Sequence, residues 1–143
     1  MHRPDQVSHG FKGERVLMRI HVEELDRYDG RPLYQAILEL LRERHLAGAT
    51  ALRGLMGFGP SGHVHTPRVM AIRSDDPIIV EVVDSAERIQ AVLPEIDRMV
   101  NGGLITLEKV RVIMYRPTVT AEERAEHERI EITGSWRAVP PTT

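Results

Sequence analysis

The chain of 143 residues has no cysteine, few aromatic side chains and no long hydrophobic run. The absence of cysteine excludes disulfide bonds, thiolate zinc sites and cysteine nucleophiles. No apolar stretch approaches the roughly 18 residues that a membrane-spanning helix requires, and residues 1–14 are too polar for the core of a signal peptide. With 41% hydrophobic and 28% charged residues, the composition is typical of one soluble globular domain, and we expect a cytoplasmic protein.

The chain also lacks an excess of basic charge, because 19 Lys and Arg residues stand against 21 Asp and Glu residues. Proteins that bind nucleic acids usually carry a basic surface, so we expect no nucleic-acid partner. Seventeen of the nineteen basic residues are arginine, whose planar guanidinium suits carboxylates and phosphates. We interpret this preference as a feature of composition rather than of function.

Hydrophobic periodicity predicts four main strands and two helices. In chain order these are a strand over 15–23, a helix between Pro32 and Gly48, strands over 50–58 and 78–83, a helix over 86–100 and a strand over 104–115. Asp84 with Glu87 is expected to cap the second helix, and Pro94 is expected to kink or break it. The order predicts an α+β fold, the ferredoxin-like βαββαβ sandwich.

Two helices can cover only one face of such a sheet. Leu17, Ile79 and Val83 would lie on the other face together with part of the last strand. A monomer rarely exposes a large apolar patch, so the pattern predicts an oligomer.

The chain divides by composition into an N-terminal arm (1–12), a domain (13–116) and a polar C-terminal extension (117–143). The extension is interpreted as frayed. A docked extension is the alternative, since Trp136 gains nothing unless it packs against another part of the molecule.

The stretch from Gly57 to Gly62 has the letters of a dinucleotide-binding fingerprint directly after a strand. The fingerprint requires a helix to begin at its third glycine, and residues 63–67 do not predict one. What remains is a glycine-rich loop whose backbone amides can approach an anion. His63 and His65 could share a metal ion if that segment is extended, but the spacing supplies no third ligand, so surface histidines are favoured. No catalytic triad is indicated.

From Gly48 to Gly59 the sequence resembles the PII superfamily of trimeric signalling proteins, which carry a similar Gly-x-Thr strand leading to Gly-Phe-Gly at the root of their long T-loop. The resemblance continues through residues 78–84, the second helix and residues 103–110. Within the superfamily the chain resembles the PII-like family catalogued as domain of unknown function 190, over residues 12–116. The order of these motifs is more specific than any one of them.

The resemblance implies a non-enzymatic homotrimer with adenine-nucleotide sites in clefts between subunits, where the T-loop root of one chain meets the turn before the last strand of its neighbour. On this chain the implied ligand-binding residues are Gly57, Phe58, Gly59, Asn101, Gly102 and Gly103. It implies no cofactor. A flexible loop, about residues 59–68, would change shape with the ligand and contact a partner such as a membrane transporter.

The chain departs from the PII pattern at the phosphates. Where PII proteins place a lysine and arginines, this sequence has Leu104 and about Tyr115, and the nearby cations are Lys109, Arg111 and Arg116. A missing charge-assisted bond removes roughly 1.5 to 3 kcal/mol, so AMP, cyclic AMP or ADP is favoured over ATP. The alternative function is a divalent-metal protein of the copper-tolerance type, or a small enzyme that uses His63 or His65.

Overall fold

The computed structural model describes residues 11–59, 64–65 and 75–117. The chain divides into two compact units, one of which is Glu14–Val110, while the other includes the described residues 11–13 and 111–117. The predicted boundaries at residues 12 and 116 stay predictions.

The elements follow the predicted order and add short strands in the connections. They are β1 (Phe11–Glu23), β2 (Arg27–Tyr28), β3 (Arg31–Pro32), α1 (Leu33–Glu43), β4 (Ala49–Arg53), β5 (Gly57–Phe58), β6 (Val64–His65), β7 (Pro77–Asp84), α2 (Ala86–Met99) and β8 (Leu104–Tyr115). Four strands form the main sheet in the order β4-β7-β1-β8, and β2–β3 and β5–β6 form two small sheets. This arrangement confirms the ferredoxin-like α+β prediction. Among the described residues no helix has both the length and the apolar character needed to cross a membrane.

The core lies between the two helices and one face of the main sheet. Alternation along β7 buries every second residue, and antiparallel pairing of β7 with β1 places Met18 opposite Val82 and Ile20 opposite Val80. The two helices contribute further large side chains to the core, namely Leu33, Ile37, Leu41, Ile89, Val92, Ile96 and Met99. Each such side chain stabilises the fold by about 1.5 to 3 kcal/mol when it is fully buried.

The second sheet face carries the residues that the alternation predicted for it. Leu17 lies opposite Val83, and Arg19 lies opposite Glu81 in the register of β1 and β7. Arg19 also bridges to β8, because its guanidinium lies 2.9 Å from Glu81 Oε1 and 3.1 Å from Glu108 Oε2. The hydrogen bonds that Arg19 donates, first the one to Glu81 and then the one to Glu108, raise the pKa of Arg19 above its ordinary value. This face therefore combines apolar residues with one cluster of charges.

The start of α2 is capped differently from the prediction. Ser85, not Asp84, is the N-cap residue, and its hydroxyl accepts a hydrogen bond from the Arg88 backbone amide at 3.3 Å. Asp84 is 3% exposed, and its two oxygens accept the backbone amides of Ser85 at 2.7 Å and Ala47 at 2.9 Å. The Asp84 carboxylate therefore joins the end of β7 to the segment before β4, a contact that no local capping pattern reveals.

Pro94 was predicted to kink or break α2; the break is wrong, and the kink stays a prediction. The helix continues from Ala86 to Met99 with Pro94 inside it. Pro94 is exposed, whereas Val92 and Ile96 on either side of it are buried in the core. Packing on both sides of the proline offsets the loss of one backbone hydrogen bond.

The predicted strand over 50–58 is divided in two. After Arg53 the Gly54 amide donates a hydrogen bond to the Pro77 carbonyl at 2.6 Å. The chain then leaves the main sheet, and Gly57 and Phe58 pair with His65 and Val64. Residues 54–59 are called the strap below.

Candidate functional site

A cavity of about 830 Å³ lies where β1 and β4 end and where β7 and β8 begin. In an antiparallel sheet these four strand termini lie at one end of the sheet, so the segments that connect the strands surround a common space. The lining residues are His21–Glu23, Asp26, Arg27, Leu33, Gly54, Met56–Gly59, Pro77–Ile79, Met99 and Asn101–Leu104. A volume of this size falls within the usual range for small-molecule sites.

The first predicted segment, Gly57-Phe58-Gly59, forms one wall of the cavity. A Cβ built on Gly59 would lie 3.7 Å from the Glu23 Oε1 atom, and one on Gly57 would lie 3.7 Å from the Pro77 Cγ atom. These are ordinary contact distances. They show that the strap lies against the end of β1 and the beginning of β7.

The second predicted segment, Asn101-Gly102-Gly103, lines the same cavity. Gly103 has a φ of +154°, and a Cβ there would lie 2.4 Å from the His21 carbonyl oxygen. Only glycine therefore allows the turn before β8 to lie this close to β1. A Cβ on Gly102, in contrast, would meet nothing within 4 Å.

Both glycine segments thus border one space within a single chain. The resemblance placed them on two different subunits, with the T-loop root of one facing the turn of the next. Both segments line one cavity without a second copy, because β4 ends and β8 begins at the same end of the sheet.

Of the predicted cations, Lys109 does not line the cavity, and the roles of Lys109, Arg111 and Arg116 stay predictions. Lys109 lies on β8, where its side chain is 82% exposed and its ammonium lies 3.8 Å from the Glu14 carboxylate. All residues that line the cavity belong to Glu14–Val110, whereas Arg111 and Arg116 belong to the other compact unit.

The charged residues that do line the cavity were not predicted. Glu23 and Asp26 supply two carboxylates, and Arg27 supplies one guanidinium. The Asp26 carboxylate accepts the Glu23 amide at 2.9 Å, and the Asp26 carbonyl accepts the Leu33 amide at 2.8 Å, so this turn is fixed against the end of β1. The lining therefore has no excess of positive charge. The only signal in the sequence is that Glu23 ends the first strand and that Asp26 and Arg27 come shortly after it.

An ion cluster beside the cavity holds three strand ends together. The Arg53 guanidinium lies 2.5 Å from Glu24 Oε2 and 3.0 Å from Asp76 Oδ2. Hydrogen bonds to Glu24 and then to Asp76 raise the pKa of Arg53 above its ordinary value. The Asp75 carboxylate accepts the Leu25 amide at 3.0 Å. Asp75 and Asp76 thus fix the ends of β1, β4 and β7 next to the candidate site.

The histidine pair falls largely outside the described residues. His63 is not described, and for His65 the structure describes only backbone pairing with Gly57. Within the described part of the chain, no three His, Asp or Glu side chains are grouped so that they could hold a metal ion. The metal-binding alternative stays a prediction.

These observations define the class of the protein. It is a ferredoxin-like sandwich with a ligand-sized cavity at the strand ends. The chain belongs to the DUF190 family, whose model, described as Uncharacterized ACR, matches residues 15–112. This match confirms the resemblance to the PII-like family on which the site prediction rested.

Relatives of the chain include two UPF0166 proteins. One, from Aquifex aeolicus, is 39% identical over 100 residues, which cover 70% of this chain and 94% of the relative. Another, from Methanocaldococcus jannaschii, is 31% identical over 97 residues, which cover 67% and 89%. Among solved structures, the chain is similar to CPII of Thiomonas intermedia K12, a nitrogen regulatory PII-like protein bound to ADP, AMP and bicarbonate. That similarity has 16% identity, covers 69% of this chain and 88% of CPII, and has a TM-score of 0.49.

Proposed function

We propose that this chain is a non-enzymatic, cytoplasmic PII-like regulator that binds an adenine nucleotide in the cavity at the strand ends. The observation that carries the proposal is that the two glycine segments, Gly57–Gly59 and Asn101–Gly103, line one cavity of about 830 Å³. Glycines let backbone amides approach a ligand closely. The cavity also has apolar walls and a few polar groups, the usual composition of a nucleotide-sized site.

The charges of the lining favour a nucleotide with few phosphates. Glu23 and Asp26 offset Arg27, and Lys109 lies near Glu14 instead of lining the cavity. A triphosphate would bring three to four negative charges to a lining without excess positive charge, and each missing charge-assisted bond removes about 1.5 to 3 kcal/mol. AMP, cyclic AMP or ADP is therefore the proposed ligand, in preference to ATP.

The functional assembly in this proposal is a homotrimer. Apolar residues on the second sheet face support it, since Leu52 there is 44% exposed and lies opposite Ile79. The loop of about residues 59–68, which begins where the strap ends, would transmit ligand binding to a partner such as a membrane transporter.

Calorimetry with AMP, cyclic AMP, ADP and ATP tests the ligand. We expect the three smaller nucleotides to bind at least as tightly as ATP. A Gly102→Leu variant should bind all of them more weakly, because a side chain at Gly102 meets nothing within 4 Å and can extend into the cavity. Gly48→Leu is the matched control, since Gly48 is equally open but does not line the cavity. Failure of every nucleotide to bind at millimolar concentration would refute the proposal.

A further inference from the structure

Three large hydrophobic side chains that line the cavity are exposed. Met56 is 58% exposed, Phe58 is 75% exposed and Leu104 is 54% exposed. They come from two separate segments, the strap and the start of β8. Exposed apolar side chains that gather around a cavity, rather than being scattered, mark a surface that a ligand covers.

Among the described residues that line the cavity, Phe58 is the only Phe, Tyr or Trp, and the imidazole of His21 is the one other ring. Its backbone is held in the β5–β6 pair opposite Val64, and glycines flank it on both sides. The flanking glycines place no side chain next to the ring. The strap therefore presents a flat aromatic surface that a planar ligand group can reach.

The exposed apolar residues of the strap do not all line the cavity, as Leu55 shows. Leu55 is 81% exposed but does not line the cavity. Phe58, three residues further along, is nearly as exposed and does line it. Two neighbouring apolar side chains therefore differ in whether a ligand in the cavity can touch them.

We infer that Phe58 is the residue that recognises the base of the ligand, by stacking on a planar heterocycle. The inference rests on the proposed function and adds to it the part of the ligand that this wall selects. Every nucleobase has a π-face, so stacking alone does not distinguish one base from another. The Asn101 side chain, which lines the same cavity, carries both a donor and an acceptor that suit the edge of a base.

The test compares AMP with ribose 5-phosphate, which has the sugar and phosphate but no base. Wild type, Phe58→Ala, Phe58→Trp and the control Leu55→Ala are measured by calorimetry. Phe58→Ala should weaken AMP binding about 5- to 150-fold, the effect of losing one stacked base. Phe58→Trp should retain binding, and Leu55→Ala should bind AMP as wild type does. Ribose 5-phosphate should bind all four proteins equally weakly.

Fluorescence supplies a second readout that a purely structural role would not change. Phe58→Trp adds a second tryptophan to a chain that has only Trp136. AMP should change the emission of this variant, relative to wild type, whereas ribose 5-phosphate should not. Such a change would place the base next to position 58.

The outcomes separate the inference from the proposed function. If wild type binds AMP and Phe58→Ala binds it equally well, the stacking role is wrong and the proposed function stands. A parallel loss of AMP and ribose 5-phosphate binding in Phe58→Ala would also overturn the stacking role. If wild type binds no nucleotide, the proposed function fails and the inference fails with it.

Discussion

Substitution of Gly103 by alanine should destabilise the fold strongly. The residue has a φ of +154°, and the new Cβ would lie 2.4 Å from the His21 carbonyl oxygen and 3.3 Å from the Val100 Cγ1 atom. A non-glycine residue in this conformation costs about 1 to 3 kcal/mol, and the shift that relieves the overlap costs about 1 to 3 kcal/mol more. We expect a total loss of about 2 to 6 kcal/mol, a large share of the 5 to 15 kcal/mol typical of a domain.

Urea unfolding at one fixed protein concentration measures this loss, with Gly102→Ala as the neighbouring control. Gly102 meets nothing within 4 Å, so that variant should unfold close to the wild-type midpoint. Equal midpoints for Gly103→Ala and Gly102→Ala would refute the argument from close approach. A substitution at Gly103 would therefore disturb the contact between β1 and the turn before β8, so it is not suitable as a test of ligand binding.

Three further predictions follow from other parts of the molecule. Asp84→Ala should lose about 3 kcal/mol or more in thermal unfolding, because it removes the buried carboxylate that accepts the Ser85 and Ala47 amides and pairs with Arg88; a smaller loss for Ala than for Asn would contradict this. Hydrogen bonds from Arg44 hold the pKa of Glu95 below its ordinary value, so Glu95 contributes stability at neutral pH that is lost as the pH falls through the lowered pKa. Arg44→Ala should therefore melt below wild type at pH 7 and approach it in acid, whereas a pH-independent difference would refute the pair. Light scattering should give about three times the 16.2 kDa chain mass, and a monomer at micromolar concentration would overturn the trimer.

The regular elements were the most predictable part of the molecule. Period-two alternation identified β1, a short apolar run identified β7, and the last strand was predicted with the same bounds that the structure has, Leu104–Tyr115. The pattern is informative because one face of each element packs on a single core. The apolar residues therefore recur with the period of the strand or helix. At Pro94 the expected break does not occur, since packing on both sides of the residue offsets its missing amide.

The site was only partly predictable. Family resemblance indicated Gly57, Gly59, Gly102 and Gly103 as candidate ligand-binding residues, and all four line one cavity. Glu23, Asp26 and Arg27 were missed because their relevance is spatial and they belong to no motif. Asp84 was assigned to helix capping because its partner, the Ala47 amide, lies 37 residues away in the chain. Contacts of this range leave no periodic trace in a sequence.

The ion cluster of Arg53, together with the Gly54–Pro77 hydrogen bond, has a consequence for engineering. Both ends of the segment between Gly54 and Asp76 are tied to the sheet by contacts at 2.6 to 3.0 Å. Once the two ends of such a segment are held together, doubling the length of the chain between them costs only about 0.6 kcal/mol more in closure entropy. A foreign peptide inserted between residues 59 and 75 should therefore leave the sheet folded. The same scaffold can then display different recognition sequences next to one ligand cavity.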